Sequence, residues 1–356
     1  MVAVTSVANQ SVAFKAQHGA HRPRSSRCQR LQLVCAASGE HSADAARRSV
    51  LLGLAGAAVA APLLAAAPAS AGTKLLPASS LSSLQRRGIV TELQNIAEAE
   101  LKKVLVPADT GACVRLLLND AGTYDQATRT GGADGSVVLP EELDRPENRD
   151  LKPLVEKLGR ARDAIIAQQR PGQDPLSWAD TIVLAAKVAS EAAWRQDKID
   201  KAATPEKGAF IADGFGCPIS IRLGRTDATQ ASPPGLLPRR DAPLEEVQAF
   251  FFKLGAKPDQ GGDGPFAKKP PFWERQQFLL WPATQDDPQA MEATMAAASP
   301  AFAKWKRTYD ISRTTVTRTS YEEDFGATLA LLANQGVKFS PNAYMCPIEV
   351  TLPDRY

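Results

Sequence analysis

The stretch Val114–Asp125, VRLLLNDAGTYD, narrows what this chain can become more than any other. Apolar residues at 114, 116, 117 and 118 make one side of a helix suited to burial. Thr110 can open that helix, and Gly122 stands where it can stop. Arg115 interrupts the apolar run. A guanidinium among core side chains is unfavourable unless an anion or another hydrogen-bond partner meets it. The commoner arrangement is a partly exposed arginine whose stem lies on the core, and the stretch taken alone predicts that one.

The first 71 residues follow different rules. Met1–Cys35 contains Lys15, Arg22, Arg24, Arg27 and Arg30 and no acidic residue, the composition of an organelle transit peptide, which we assign to residues 1–40. Residues 41–71 carry Arg47-Arg48, an uncharged run over Ser49–Ala67 and then Ala69-Ser70-Ala71, the order of a twin-arginine export signal with its cleavage site. The run spans 19 residues, long enough to raise the question of a membrane anchor. Its Ala and Gly content, Pro62 within it and Pro68 just after it favour cleavage instead. A transit peptide ahead of an export signal resembles the bipartite presequence of chloroplast proteins destined for the thylakoid lumen.

Cleavage after Ala71 would leave one domain, residues 72–356, with no transmembrane helix expected in it. The presequence holds 7 of the 42 Lys and Arg and 2 of the 39 Asp and Glu, so the remainder has 35 and 37, a net charge of −2. No basic stripe points to nucleic acid. All three histidines, His18, His21 and His41, lie in the presequence. Chemistry that needs an imidazole is therefore excluded from the mature chain by counting. Cys113, Cys217 and Cys346 remain, enough for one disulfide at most. Cys113 reads as a small core residue, and a Cys217–Cys346 bridge stands as the alternative to free thiols.

Apolar periodicity predicts helices over Leu84–Val104, Asn148–Gln169, Trp178–Trp194, Pro243–Leu254, Phe272–Trp281, Met291–Tyr309 and Tyr321–Asn334. Lys74–Ser83 reads as a loose lead. Thr130–Pro140 reads as a turn-rich connection without the Lys and Ser/Thr of a phosphate loop. Arg225 and Asp227 read as a pair that holds its own loop.

Several of these segments resemble the ascorbate peroxidases, the class I haem peroxidases of plants and algae. The resemblance rests on Arg115-Leu116 with Ala121-Gly122-Thr123-Tyr124-Asp125, then Gly131-Gly132-Ala133-Asp134-Gly135, Glu142-Leu143 and Asn148. Leu176-Ser177-Trp178-Ala179-Asp180, Gly224-Arg225-Thr226-Asp227 with its Pro-rich continuation, and Phe302, Trp305 and Tyr309 extend it. It implies an all-α, class I haem-peroxidase-like helical fold, truncated on the proximal side.

The resemblance also implies what has been lost. An Arg, an aromatic residue and a His stand over the haem iron in that family; here Arg115 is kept, but Leu118 and Asn119 occupy the other two positions. Asn148 matches the asparagine that orients the distal His. Pro282-Ala283-Thr284 falls where the iron-ligating His is expected, and the family's ascorbate-site Lys and Cys fall on Pro107 and Asp109. No catalytic residue, no haem or other cofactor and no metal is therefore expected. Side chains are expected to close the old haem space, with Arg115 paired to a carboxylate or capping carbonyls.

The expected function is that of a degenerate, lumenal branch of the family, whose members are described as peripheral to photosystem II or the thylakoid membrane, with a structural or regulatory role. The basic Lys268-Lys269 and the aromatic Trp273 form a candidate partner surface, against the alternative of aromatics packed inward. Two other readings remain: a peroxidase of the ascorbate type with an unusual iron ligand, and a small-molecule binder in the old cleft.

Overall fold

In a computed structural model the described residues are 73–125, 127–255, 273–317 and 319–351. Arg47, Arg48, Ala69, Ala71, Lys268 and Lys269 lie outside them.

Helix α1 (Ser83–Val104) opens on a capping box, with Ser82 and Gln85 satisfying each other's backbone N–H groups. It buries Ile89, Leu93, Ala97 and Leu101 at helical spacing. Helix α2 (Thr110–Ala121) is buried along nearly its whole length. Gly122 follows as its C-cap, where a Cβ would lie 2.6 Å from the Phe250 ring and 2.8 Å from Leu237. A short α3 (Pro140–Leu143) precedes α4 (Lys152–Ile166), so the expected start at Asn148 becomes a 3₁₀ turn over Arg149–Leu151. Helix α5 (Trp178–Lys201) starts on its Ser177 cap and runs beyond Trp194.

Helix α6 (Pro205–Phe215) has no counterpart among the expected helices. It carries no continuous apolar stripe, and it packs on α5 through Gly208, where a Cβ would meet the Ile199 Cα at 2.4 Å. Helices α7 (Leu244–Gly255) and α8 (Trp273–Ala283) follow. The helix expected over Met291–Tyr309 is two: α9 (Pro288–Ala298) and α10 (Pro300–Arg313). Pro300 cannot supply the N–H a continuous helix needs, and the Ser299 hydroxyl caps the new start by accepting from Ala301 N at 3.3 Å. Helix α11 (Ser320–Ala333) completes the body.

The lead at 74–83 is not loose. Strand β1 (Thr73–Leu76) pairs antiparallel with β2 (Ile348–Thr351), so a two-stranded ladder joins the start and end of the described chain. Four-residue strands without a hairpin turn between them leave no local signal. Among the described residues, no helix is long and apolar enough to cross a membrane. The main core runs from Leu93 on α1 through α2 and α5 to Leu332 on α11, and it places α2 in the middle of the protein.

Candidate functional site

Helix α2 presents Arg115 and Asn119 one turn apart. The Asn119 side-chain amide donates to Asn148 Oδ1 at 2.7 Å and to the Glu147 carbonyl at 3.3 Å. Asn148 in turn donates to the Glu142 carbonyl at 3.0 Å. Asn148 thus still fixes the side chain at position 119. An amide donates and accepts hydrogen bonds but carries no proton to pass on. Leu118, beside them, is core.

Arg115 is only 6% exposed, which overturns the partly exposed arrangement predicted from its stretch. Its Nη2 donates to the carboxylate of Asp150, whose side chain is 50% exposed. Nε and Nη1 are buried without a hydrogen-bond partner among the described residues. The expected carboxylate partner is therefore present, though it takes only one edge of the guanidinium. Sequence reading did not single out Asp150, and its place two residues after Asn148 was the available signal.

Carboxyl groups crowd the loop after α2. Asp120 accepts from Gly135 N at 2.9 Å and Val137 N at 3.3 Å, and Ser136 N donates to Asp134 at 3.2 Å. Burial, and then the nearby Asp134 charge, push the Asp120 carboxyl well above its ordinary range. Burial also raises Asp134. Gly132 takes the loop through φ +108°, where its missing Cβ lets the Gln335 carbonyl approach; a Cβ would sit 2.4 Å away.

Thr284, in the Pro282-Ala283-Thr284 stretch where the resemblance puts the iron ligand, is buried. Its hydroxyl donates to the Trp281 carbonyl at 2.7 Å and accepts from Gln285 Nε2 at 3.0 Å. A methyl group on Gly111 would lie 3.2 Å from the Gln285 carbonyl and 3.5 Å from that of Ala283. The start of α2 and this turn are thus in van der Waals contact, with no layer between them at that level. Among the described residues, no three His, Cys, Asp or Glu side chains converge as metal ligands would.

The space beside this contact is not closed. A cleft of about 910 Å³ has Arg115 and Thr284 in its walls, together with Ser190, Trp194, Ile219 and Phe325. The expectation that side chains would fill the old haem space is corrected: the narrowing is local to Gly111. Trp194 was legible only as the last residue of a helix, and nothing in the sequence pattern set Ser190 or Phe325 apart.

Arg225 and Asp227 hold more than their own loop. Arg225 pairs with Asp180 at 2.7 Å and donates through Nε and Nη2 to the Ala333 carbonyl at 3.0 and 2.7 Å. Asp227 accepts the Trp178 and Ala179 N–H groups at 2.8 and 2.9 Å, capping α5 from a distance. Cys113, Cys217 and Cys346 are free thiols, so no Cys217–Cys346 bridge forms. Trp273 begins α8, and Trp281 on the same helix is buried.

The family model described as peroxidase matches residues 93–260. Thylakoid lumenal 29 kDa proteins of the chloroplast are similar to this chain: that of Solanum lycopersicum is 32% identical over 246 residues, and that of Arabidopsis thaliana 31% identical over 255. These alignments cover 66% and 70% of this chain and 66% of each relative, so the chain matches about two thirds of their length. The putative L-ascorbate peroxidase 6 of Arabidopsis thaliana is 29% identical over 172 residues, covering 48% of this chain and 44% of that protein. The crystal structure of the TL29 protein from Arabidopsis thaliana superposes with a TM-score of 0.62 at 29% identity, covering 73% of this chain and 98% of that one.

Proposed function

Because the chain belongs to the peroxidase family and to the chloroplast thylakoid lumen, we propose that it has left peroxide chemistry and serves there as a non-catalytic protein, peripherally associated with the thylakoid membrane or photosystem II. The observation that carries this reading is the amide pair Asn119–Asn148. Heterolysis of a peroxide bond needs a group that takes a proton from one oxygen and returns it to the other. General acid–base catalysis of that kind contributes roughly 10²–10⁴-fold. Asn119 occupies the position and cannot do it.

An iron porphyrin does not fit the residues present. The Thr284 hydroxyl is engaged with Trp281 and Gln285, no imidazole is among the described residues lining the cleft, and burial pushes the thiol of Cys217 in its wall up to about 12, away from the thiolate that would hold iron. The presequence carrying Arg47-Arg48 and Ala69-Ser70-Ala71 supplies the route to the lumen.

Titrating the purified protein with haemin tests the chemistry. We expect no protein-specific Soret band and no peroxide turnover above that of free haemin; a sharp Soret band with ascorbate-dependent turnover would restore the enzymatic reading. For the association, thylakoid binding of the protein is compared with that of Lys268→Glu/Lys269→Glu. Weakened retention supports the partner surface, and unchanged retention removes it.

A further inference from the structure

We propose that the cleft beside Arg115 binds a small organic carboxylate with a flat apolar body. The first argument is charge. Among the described residues lining the cleft, each carboxylate has a cationic partner. Arg313 grips Glu292 through two contacts at 2.7 Å. Lys306 meets Asp310 at 2.7 Å, and Lys201 meets Asp197 at 2.9 Å. Arg240 pairs with Asp286, and Glu322 pairs with the buried Lys198. Five cations and five carboxylates line the cleft, and four of those cations are paired with carboxylates of the lining itself. Arg115 differs: its acidic partner, Asp150, is not among the residues lining the cleft and engages Nη2 alone.

The second argument is the donors left over. Arg115 Nε and Nη1, Ser190 Oγ and Trp194 Nε1 are buried atoms of cleft-lining side chains, and none has a hydrogen-bond partner among the described residues. Arg115 and Ser190 are each more than nine-tenths buried. Unpaired buried donors are rare because each forfeits its hydration. They sit on two neighbouring helices, α2 and α5, and each lacks an acceptor of the kind a carboxylate oxygen supplies. The third argument is the lining: Ile219, Ala193, Trp194 and Phe325 offer an apolar wall to the rest of the molecule, the usual division of a small-molecule site.

The probe is 2-naphthoate, with 2-naphthamide as its uncharged counterpart and inorganic phosphate as the bodiless anion, each titrated into the purified protein by calorimetry. We expect naphthoate to bind at least about tenfold tighter than naphthamide, because a hydrogen bond between charged groups is stronger than one to a neutral amide. Phosphate should bind more weakly than naphthoate. Arg115→Gln should bring naphthoate and naphthamide to the same affinity with an unchanged circular dichroism spectrum. Ala193→Phe, which fills the cleft and removes no polar group, should abolish both, and it serves if Arg115→Gln fails to fold. Equal binding of naphthoate and naphthamide to the unaltered protein, undiminished naphthoate binding by Ala193→Phe, or no binding at all overturns the assignment. Phosphate binding as tight as naphthoate would refute the apolar body.

Discussion

Asp180 gathers the donors that tie three distant segments together. It accepts from Gly224 N at 2.6 Å, Arg225 N at 3.2 Å, Arg225 Nη1 at 2.7 Å and the Tyr344 hydroxyl at 2.7 Å. Removing one partner of a buried charge pair costs about 3–5 kcal/mol, so Asp180→Ala should lower the urea midpoint steeply. Tyr344→Phe, which keeps the Arg225–Asp180 pair and loses the hydroxyl's bonds to Asp180 and Ser177, should cost less, about 1.5–3 kcal/mol. Equal losses would mean that Arg225 does not depend on the carboxylate. Asp120 gives a pH prediction. Its folded-state pKa is raised by burial, so it contributes stability that is full below the ordinary carboxylate range and is lost as pH rises through its own higher value. The Asp120 contribution to the unfolding free energy should therefore decline from acid towards neutral pH, so the stability difference between the unaltered protein and Asp120→Asn should narrow over that range; part of the difference persists, because the amide leaves one of Gly135 N and Val137 N without its acceptor. Sequence alone made Arg115, Asn119, Asn148, Arg225 and Asp227 legible as types at positions. It could not supply their partners, because Asp150, Asp180 and Ala333 reach them only through the folded path of the chain.

At the scale of elements, periodicity found the helices that bury a stripe and missed α6, which holds to α5 by closeness. Gly208→Ala places a methyl against the Ile199 backbone. We expect a loss of about 1–3 kcal/mol and, by hydrogen exchange, earlier opening of 205–215 than of α5. Exchange unchanged in α6 would show that the helix does not depend on that approach. The break between α9 and α10 was written in Ser299-Pro300, but an apolar pattern that continues across both helices hides a change of direction. Ser299→Ala should cost about 1 kcal/mol through its lost cap, read from thermal unfolding.

Across the whole molecule, the β1–β2 ladder closes a loop of roughly 270 residues, which in an unstructured chain costs about 5 kcal/mol. Four residues a side do not offset that alone, so the ladder persists because the helical body already holds its ends together. Truncation after Pro347 should leave the helices intact by circular dichroism while exposing Cys346, which packs beside Leu81, Ile89 and Ile348. Thiol labelling of the native protein should then speed up at Cys346 and remain negligible at Cys113, whose thiol burial pushes up to about 12. Nothing within either strand revealed this pairing, since the partner of each lies at the other end of the sequence. The run from Asn119 through Asn148 to the Glu142 carbonyl has a consequence of its own. None of its members takes up or releases a proton, so this strut keeps one shape whatever the acidity around it, where an imidazole in the same place would have swung between two charge states.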